Sequence, residues 1–148
     1  MKKIFVFSLI LMSLYSCSLF KKNADIEEHF LVAILDDLNN YRQKDSYKIV
    51  NAFVDEHVLN IDVTYSGGCN EHTFKLIGSN KIIEDKPNKM KVLLIHDANG
   101  DTCRELIGER LKFKIHELAF EGKDVLLMLE GYPNELYYNP NQIKRSSN

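Results

Sequence analysis

Two stretches alternate strictly between apolar and polar residues, and they fix the kind of layer this chain can build. Across residues 58–66, Leu59, Ile61, Val63 and Tyr65 fall on one side of an extended backbone, and Asn60, Asp62 and Thr64 on the other. Across 111–116, Leu111, Phe113 and Ile115 alternate with Lys112, Lys114 and His116. Successive side chains of a strand point to opposite faces, so each stretch has one face for a core and one for water. Such strands are not stable singly or in pairs; they need a sheet with something packed on its apolar face.

The same period, bounded by turn residues, predicts further strands at 47–54, 72–77, 90–96, within 103–108 and at 124–130, with a short last one at 135–138. Asp55-Glu56-His57 reads as a turn, Gly67-Gly68 ends a strand, and Asn99-Gly100 is a strong turn pair. Residues 78–89, polar and containing Pro87, read as a long connection, and the polar tail 139–148 is expected to fray. About seven short strands with turns between them predict an antiparallel β-sandwich. A small β-barrel is the alternative, because alternation does not fix closure. No βαβ alternation is present, which argues against parallel pairing.

Residues 26–41 carry another period. Ile26, Phe30, Ile34 and Leu38 recur every fourth residue, and Leu31, Leu35 and Tyr41 widen the stripe. The spacing predicts one amphipathic helix ahead of the strands, with Asp25 as its cap and Glu28 three residues on. Its polar face is acidic (Glu27, Glu28, Asp36, Asp37), so it is expected to pack on the domain rather than lie on lipid.

The amino terminus reads as a leader. Lys2 and Lys3 precede residues 4–15, an apolar run broken only by Ser8 and Ser13. That run is well short of the roughly 20 residues a membrane-spanning helix needs. It closes on Leu14-Tyr15-Ser16-Cys17, which resembles the bacterial lipobox. The resemblance covers the first 17 residues and implies a lipoprotein: cleavage before Cys17, a lipid thioether on its sulfur and acylation (palmitate) of its new amino group. With Ser rather than Asp at position 18, the resemblance further implies the outer membrane of a Gram-negative envelope, with the periplasmic or surface face open. The expected organisation is a signal peptide at 1–16, a lipidated tether at 17–24 and one β-rich domain at 25–148. The small exported lipoproteins of unassigned role, which the domain loosely resembles, transfer no active site.

The charge excludes one class of partner. The chain has 19 basic and 21 acidic residues, and loss of Lys2 and Lys3 with the leader moves the balance to 17 against 21. Mild acidity without a basic cluster interleaved with aromatics argues against nucleic acid. The expected partners are a membrane, through the lipid, and an unidentified protein or small molecule.

With Cys17 lipidated, Cys69 and Cys103 remain. An exported chain meets oxidising conditions, so the first reading is a disulfide between them. The alternative adds His72, three residues after Cys69, and His96, seven before Cys103. Together these four offer the soft ligands of a tetrahedral zinc site, or the two histidines bind metal on the rim with Asp97 or Asp101. Otherwise no cofactor is called for. Asp97-Ala98-Asn99-Gly100-Asp101 opens like a calcium loop, but Thr102 stands where Gly belongs and Gly108 where Glu belongs, so a turn capped by its own side chains is the simpler reading.

Catalytic patterns are weak. His29, His57 and His116 read as surface residues, Ser66-Gly67-Gly68 is not a nucleophile elbow, and Glu84-Asp85 reads as a solvated loop pair. Tyr132, Pro133, Tyr137 and Tyr138 read as a ligand edge or as the packed end of a sandwich. The expectation is a non-enzymatic binding or structural module.

Overall fold

A computed structural model describes residues 29–142. Among these, nine strands form two sheets: β1 (Leu31–Val32), β2 (Ile34–Asp36), β3 (Lys48–Asp55), β4 (Val58–Gly67), β5 (Thr73–Ile83), β6 (Asn88–Asp97), β7 (Glu105–Lys114), β8 (Val125–Leu129) and β9 (Leu136–Tyr138). One sheet has the order β1-β7-β4-β3 and the other β2-β5-β6-β8-β9. They pack face to face without closing into a barrel. The alternating residues do what their period requires. Leu59, Ile61 and Val63 of β4 and Leu111 and Phe113 of β7 are buried against Leu76, Met90, Val92, Leu94 and Leu127 of the opposite sheet.

The predicted sandwich is present, but three local expectations fail. The helix over 26–41 is absent where the structure describes it; residues 26–28 lie outside the described residues. Residues 31–36 are instead an extended strap. Its first half pairs with β7 at Phe113 and Lys114, its second with β5 at Ile77–Ser79, and Ala33, 1% exposed, sits at the crossing. Open edges of two sheets offered this segment backbone partners, and that outweighed its four-residue apolar spacing. Within the described part of 26–41 only Leu38–Asn40 is helical, a single 3-10 turn with Asp37 accepting from the Asn39 N–H at 3.0 Å.

The sheets are also mixed. β1 with β7, β2 with β5 and β6 with β8 run parallel; the other pairs are antiparallel. The parallel partners are far apart in sequence, so no short connection announces them. Finally, β5 and β6 run further towards each other than predicted, leaving a tight turn in place of a connection over 78–89. Gly78 is no breaker. A Cβ there would meet Leu118 Cδ2 at 2.3 Å and Met90 Sδ at 3.0 Å, so the glycine admits the Leu118 side chain to the core. Likewise the two strands expected within 103–108 and at 111–116 are one, β7 (Glu105–Lys114), with Gly108 inside it.

The outer face of the five-stranded sheet carries its own apolar patch, Ile77, Leu93 and Ile95, covered by Leu38 and Tyr41. The segment following the strap is thereby held across this face. Tyr41 Oη donates to Asp36 at 2.8 Å and Lys81 pairs with Asp37 at 2.6 Å.

Candidate functional site

Cys69, His72, His96, Asp101 and Cys103 meet at one end of the sandwich. β4 ends at Gly67, and the turn that follows carries Cys69 before the chain enters β5 beside His72. His96 is near the end of β6, directly opposite Phe74 of β5. The β6–β7 loop then brings Asp101 and Cys103 back against the β4–β5 turn. Cys69 and Cys103 stand at disulfide distance, with Cα atoms 5.8 Å apart.

Asp101 is the hub of the two loops, and its side chain is fully buried. Oδ2 accepts from the backbone N–H of Cys69 and of Asn70, both at 2.9 Å, and Oδ1 from that of Cys103 at 2.8 Å. Three aligned N–H dipoles favour the ionised form, with the one from Asn70 strongest, and hold this carboxyl well below the usual carboxylate range. Asn99 extends the clasp: its side chain donates to Glu71 O at 2.7 Å, and its carbonyl accepts from the Asn70 amide at 3.2 Å.

The histidines face inward. His72 Nδ1 lies 2.8 Å from His96 Nε2, and His72 Nε2 lies 3.3 Å from Asp101 Oδ2. His96 Nδ1 lies 3.2 Å from Ser46 O. A carbonyl only accepts, so His96 Nδ1 carries the hydrogen and its Nε2 accepts from His72 Nδ1. The contact of His72 with Asp101 is an ion pair only in the doubly protonated ring. Burial, then the neighbouring His72, pushes the His96 pKa below its ordinary value. Aromatic rings complete the wall: Phe74 stacks on His96 at 4.5 Å and 8°, and Tyr65 lies 4.7 Å from His72. Gly67 makes room for this, because a Cβ on it would sit 2.6 Å from His72 Cε1 and Nε2.

These contacts decide what the cluster can do chemically. His72 and Asp101 side chains are 2% and 0% exposed, and each polar atom of the His72–His96 pair has a protein partner. The arrangement joins loops; it presents no base or nucleophile to a substrate. Cys69, Asp101 and Cys103 each place one ligand atom within 4.8 Å of the others, yet the two sulfurs face each other and the carboxylate is occupied by amides. Asp97, the other acid of the loop, pairs with Lys44 at 2.5 Å and accepts from the Asn99 N–H at 3.0 Å.

The remaining sequence candidates lie apart. The rings of His57 and His116 lie 4.3 Å apart, tilted by 30°, near Tyr138, which is fully buried. Ser66 is exposed on the outer face of β4, opposite in direction to Tyr65. Tyr137 is half exposed, and its hydroxyl donates to Asp124. Tyr132 and Pro133 border a cavity of about 370 Å3 with Leu38 and Met128. Cys17 lies outside the described residues. Sequence reading missed Asp101 as a hub and Tyr65 as a stacking partner. The available signal for Asp101 was its place two residues before a cysteine in a loop rich in Asp and Asn.

None of the curated proteins compared with the chain matches it. Several solved structures resemble it, among them the following three. A NigD-like immunity protein from Bacteroides caccae is 16% identical with a TM-score of 0.52, over 73% of this chain and 59% of that one. A putative toxin-related protein from Parabacteroides distasonis is 18% identical at a TM-score of 0.47, over 74% and 62%. A DUF1344 protein of unknown function from Bacteroides vulgatus is 14% identical at 0.48, over 78% and 58%. The chain thus spans less than two thirds of the length of each, and the likeness to the first is one of fold. Residues 32–135 match the family described as the NigD-like C-terminal beta sandwich domain, which is more than half of the 148 residues, and the chain belongs to that family.

Proposed function

We propose that this chain is a lipid-anchored protein of a bacterial cell envelope whose sandwich binds another molecule and catalyses no reaction. The observation that carries the non-enzymatic part is the inward engagement of His72, His96 and Asp101, the residues best suited to acid–base work. The anchor rests on Leu14-Tyr15-Ser16-Cys17 after a short apolar run, with Ser18 favouring the outer membrane. A cysteine pair at disulfide distance suits the oxidising side of such an envelope. Among the described residues no helix is long and apolar enough to cross a membrane, which is compatible with attachment by lipid. A zinc role for His72 and His96 has less support, because their nitrogens are engaged by each other, Ser46 and Asp101.

Labelling cells with radioactive palmitate tests the anchor. The wild-type chain is expected to take up label and to partition into the detergent phase, and Cys17→Ala to do neither. Equal labelling of the two chains refutes lipidation at Cys17.

A further inference from the structure

The buried row from Ser46 through His96 and His72 to Asp101 has more places for hydrogens than two neutral imidazoles can fill. It contains three gaps: Ser46 O to His96 Nδ1 at 3.2 Å, His96 Nε2 to His72 Nδ1 at 2.8 Å, and His72 Nε2 to Asp101 Oδ2 at 3.3 Å. Each gap needs one hydrogen, because the carbonyl and the carboxylate only accept and two facing ring nitrogens attract only across a hydrogen. A neutral imidazole carries one ring hydrogen, so two neutral rings supply two for three gaps. Every neutral combination therefore sets lone pairs face to face somewhere in the row. With both hydrogens on Nδ1, the bare His72 Nε2 faces the Asp101 carboxylate. With both on Nε2, the bare His96 Nδ1 faces Ser46 O. With one on His96 Nδ1 and one on His72 Nε2, the two remaining nitrogens face each other bare. The His72 and Asp101 side chains are 2% and 0% exposed and His96 is 1% exposed, so bulk water does not relieve the bare gap. Asp101 does not supply the third hydrogen, because three backbone N–H groups hold its carboxyl ionised.

One added proton fills the row; a second would put two hydrogens into the gap of 2.8 Å. The added proton belongs on His72, which then donates from Nδ1 to His96 and from Nε2 to the carboxylate, while His96 keeps its hydrogen on the Ser46 side. The charges facing the pair favour a cation there. Asp45, ahead of β3, accepts from the Ala98 N–H at 2.8 Å and keeps its charge. Glu109 of β7 accepts from the hydroxyl of Tyr65, whose ring lies 4.7 Å from His72 and 5.0 Å from His96, and it keeps its charge too. The Glu105 carboxylate lies beside Gly68. Of the nearby cations, Lys44 is taken by Asp97 at 2.5 Å and Arg104 is exposed, as is Glu71 on the β4–β5 turn. Tyr47, edge-on to His96, donates its hydroxyl to Leu94 O at 2.7 Å and adds no charge.

We propose that the His72–His96 pair is a monocation, and that its single extra proton, carried by His72, is a pH-sensitive latch between the β4–β5 turn and Asp101 of the β6–β7 loop. Loss of that proton brings back a bare gap, and the nearest relief is for His72 to move off the carboxylate, which parts the turn from the loop. The stoichiometry also sets how folding depends on pH. In acid the two unfolded rings bind two protons against one in the folded pair, and in alkali none against one, so the latch favours the folded chain most near neutrality. The latch is independent of the anchor at Cys17 and of whatever the sandwich binds.

Long-range proton–nitrogen NMR on the full chain in detergent, with nitrogen-labelled histidine, counts the hydrogens on each ring and tests this directly. At pH 7 His72 is expected to carry hydrogens on both nitrogens and His96 on Nδ1 alone. Raising the pH is expected to remove one hydrogen from His72 and, in the same step, to speed hydrogen exchange at the Cys69 and Asn70 amides at least tenfold beyond its intrinsic pH dependence. Asp101→Asn is expected to leave His72 with one hydrogen at pH 7, and His116→Gln, at an exposed ring, to change neither histidine of the pair. A wild-type His72 with one hydrogen at pH 7, hydrogens on both nitrogens of both rings, or loss of the His72 proton without faster exchange overturns the proposal. Circular dichroism of each variant confirms that it is folded.

Discussion

Replacing both Cys69 and Cys103 by alanine gives the sharpest test of how the two loops are held. The cysteines are 34 positions apart, so a bond between them closes a loop of 35 residues. In the chain-entropy model this loop removes about 12.7 cal/mol/K from the unfolded ensemble, or about 3.8 kcal/mol at 25 °C. Cys69 is exposed and Cys103 half-buried, so truncation itself opens no core cavity. Asp101 still ties the β4–β5 turn to the β6–β7 loop through three backbone amides, so the variant is expected to fold to the same structure. Nearly the whole effect therefore falls on the unfolded state. The chain has no Trp, so urea unfolding is best followed by far-ultraviolet circular dichroism. The expected loss is about 3–4 kcal/mol, or a fall in Tm of roughly 15 °C for a domain of this size. Reducing the wild-type chain should reproduce it. A double variant within about 1 kcal/mol of the oxidised wild type, or a midpoint that ignores reductant, refutes the bridge.

Gly78→Ala should destabilise by about 1–3 kcal/mol through overpacking, because its Cβ would strike Leu118; combined with Leu118→Ala, itself a core truncation, the loss should be smaller than the sum of the two single losses in the same urea titration. His96 has a folded pKa below its unfolded one, so the unfolded chain binds more protons. Stability should therefore fall as pH drops below about 6.5, the ordinary histidine value; a flat profile between pH 7 and 5 that His96→Gln leaves unaltered would be the contrary result. Asp101→Asn should speed hydrogen exchange at the amides of Cys69, Asn70 and Cys103 while β4 and β7 stay protected; unchanged exchange at those three would remove Asp101 as the hub. Treatment with EDTA should leave the unfolding midpoint where it was, and a fall would favour a metal at the cysteine–histidine end.

The strict alternation of Leu59, Ile61 and Val63 made β4 legible, because a period of two admits only one local structure with a single buried face. The approach of Cys69 and Cys103 was anticipated from the number of cysteines and from the exported compartment that the lipobox resemblance implies, rather than from any pattern of spacing. The strap was not legible. Ile34 and Leu38 share a helical spacing by chance, and the open edges of β5 and β7 that claim residues 31–36 exist only once both sheets are built. Asp101 was read as one oxygen of a local turn. Its reach to Cys69 and Asn70 depends on a loop more than 30 residues away.

The strap also fixes how the domain responds to force. Load arriving from the amino-terminal side enters at Leu31–Val32, two residues held by β7 and by the Ala33 N–H on Lys114 O at 3.0 Å. Three more residues, Ile34–Asp36, bind the other sheet. Loss of the strap would uncover the edges of β7 and β5 and draw Ala33 out of the seam between the layers. A pull from that side therefore loads both sheets at once, through five residues that belong to neither hairpin.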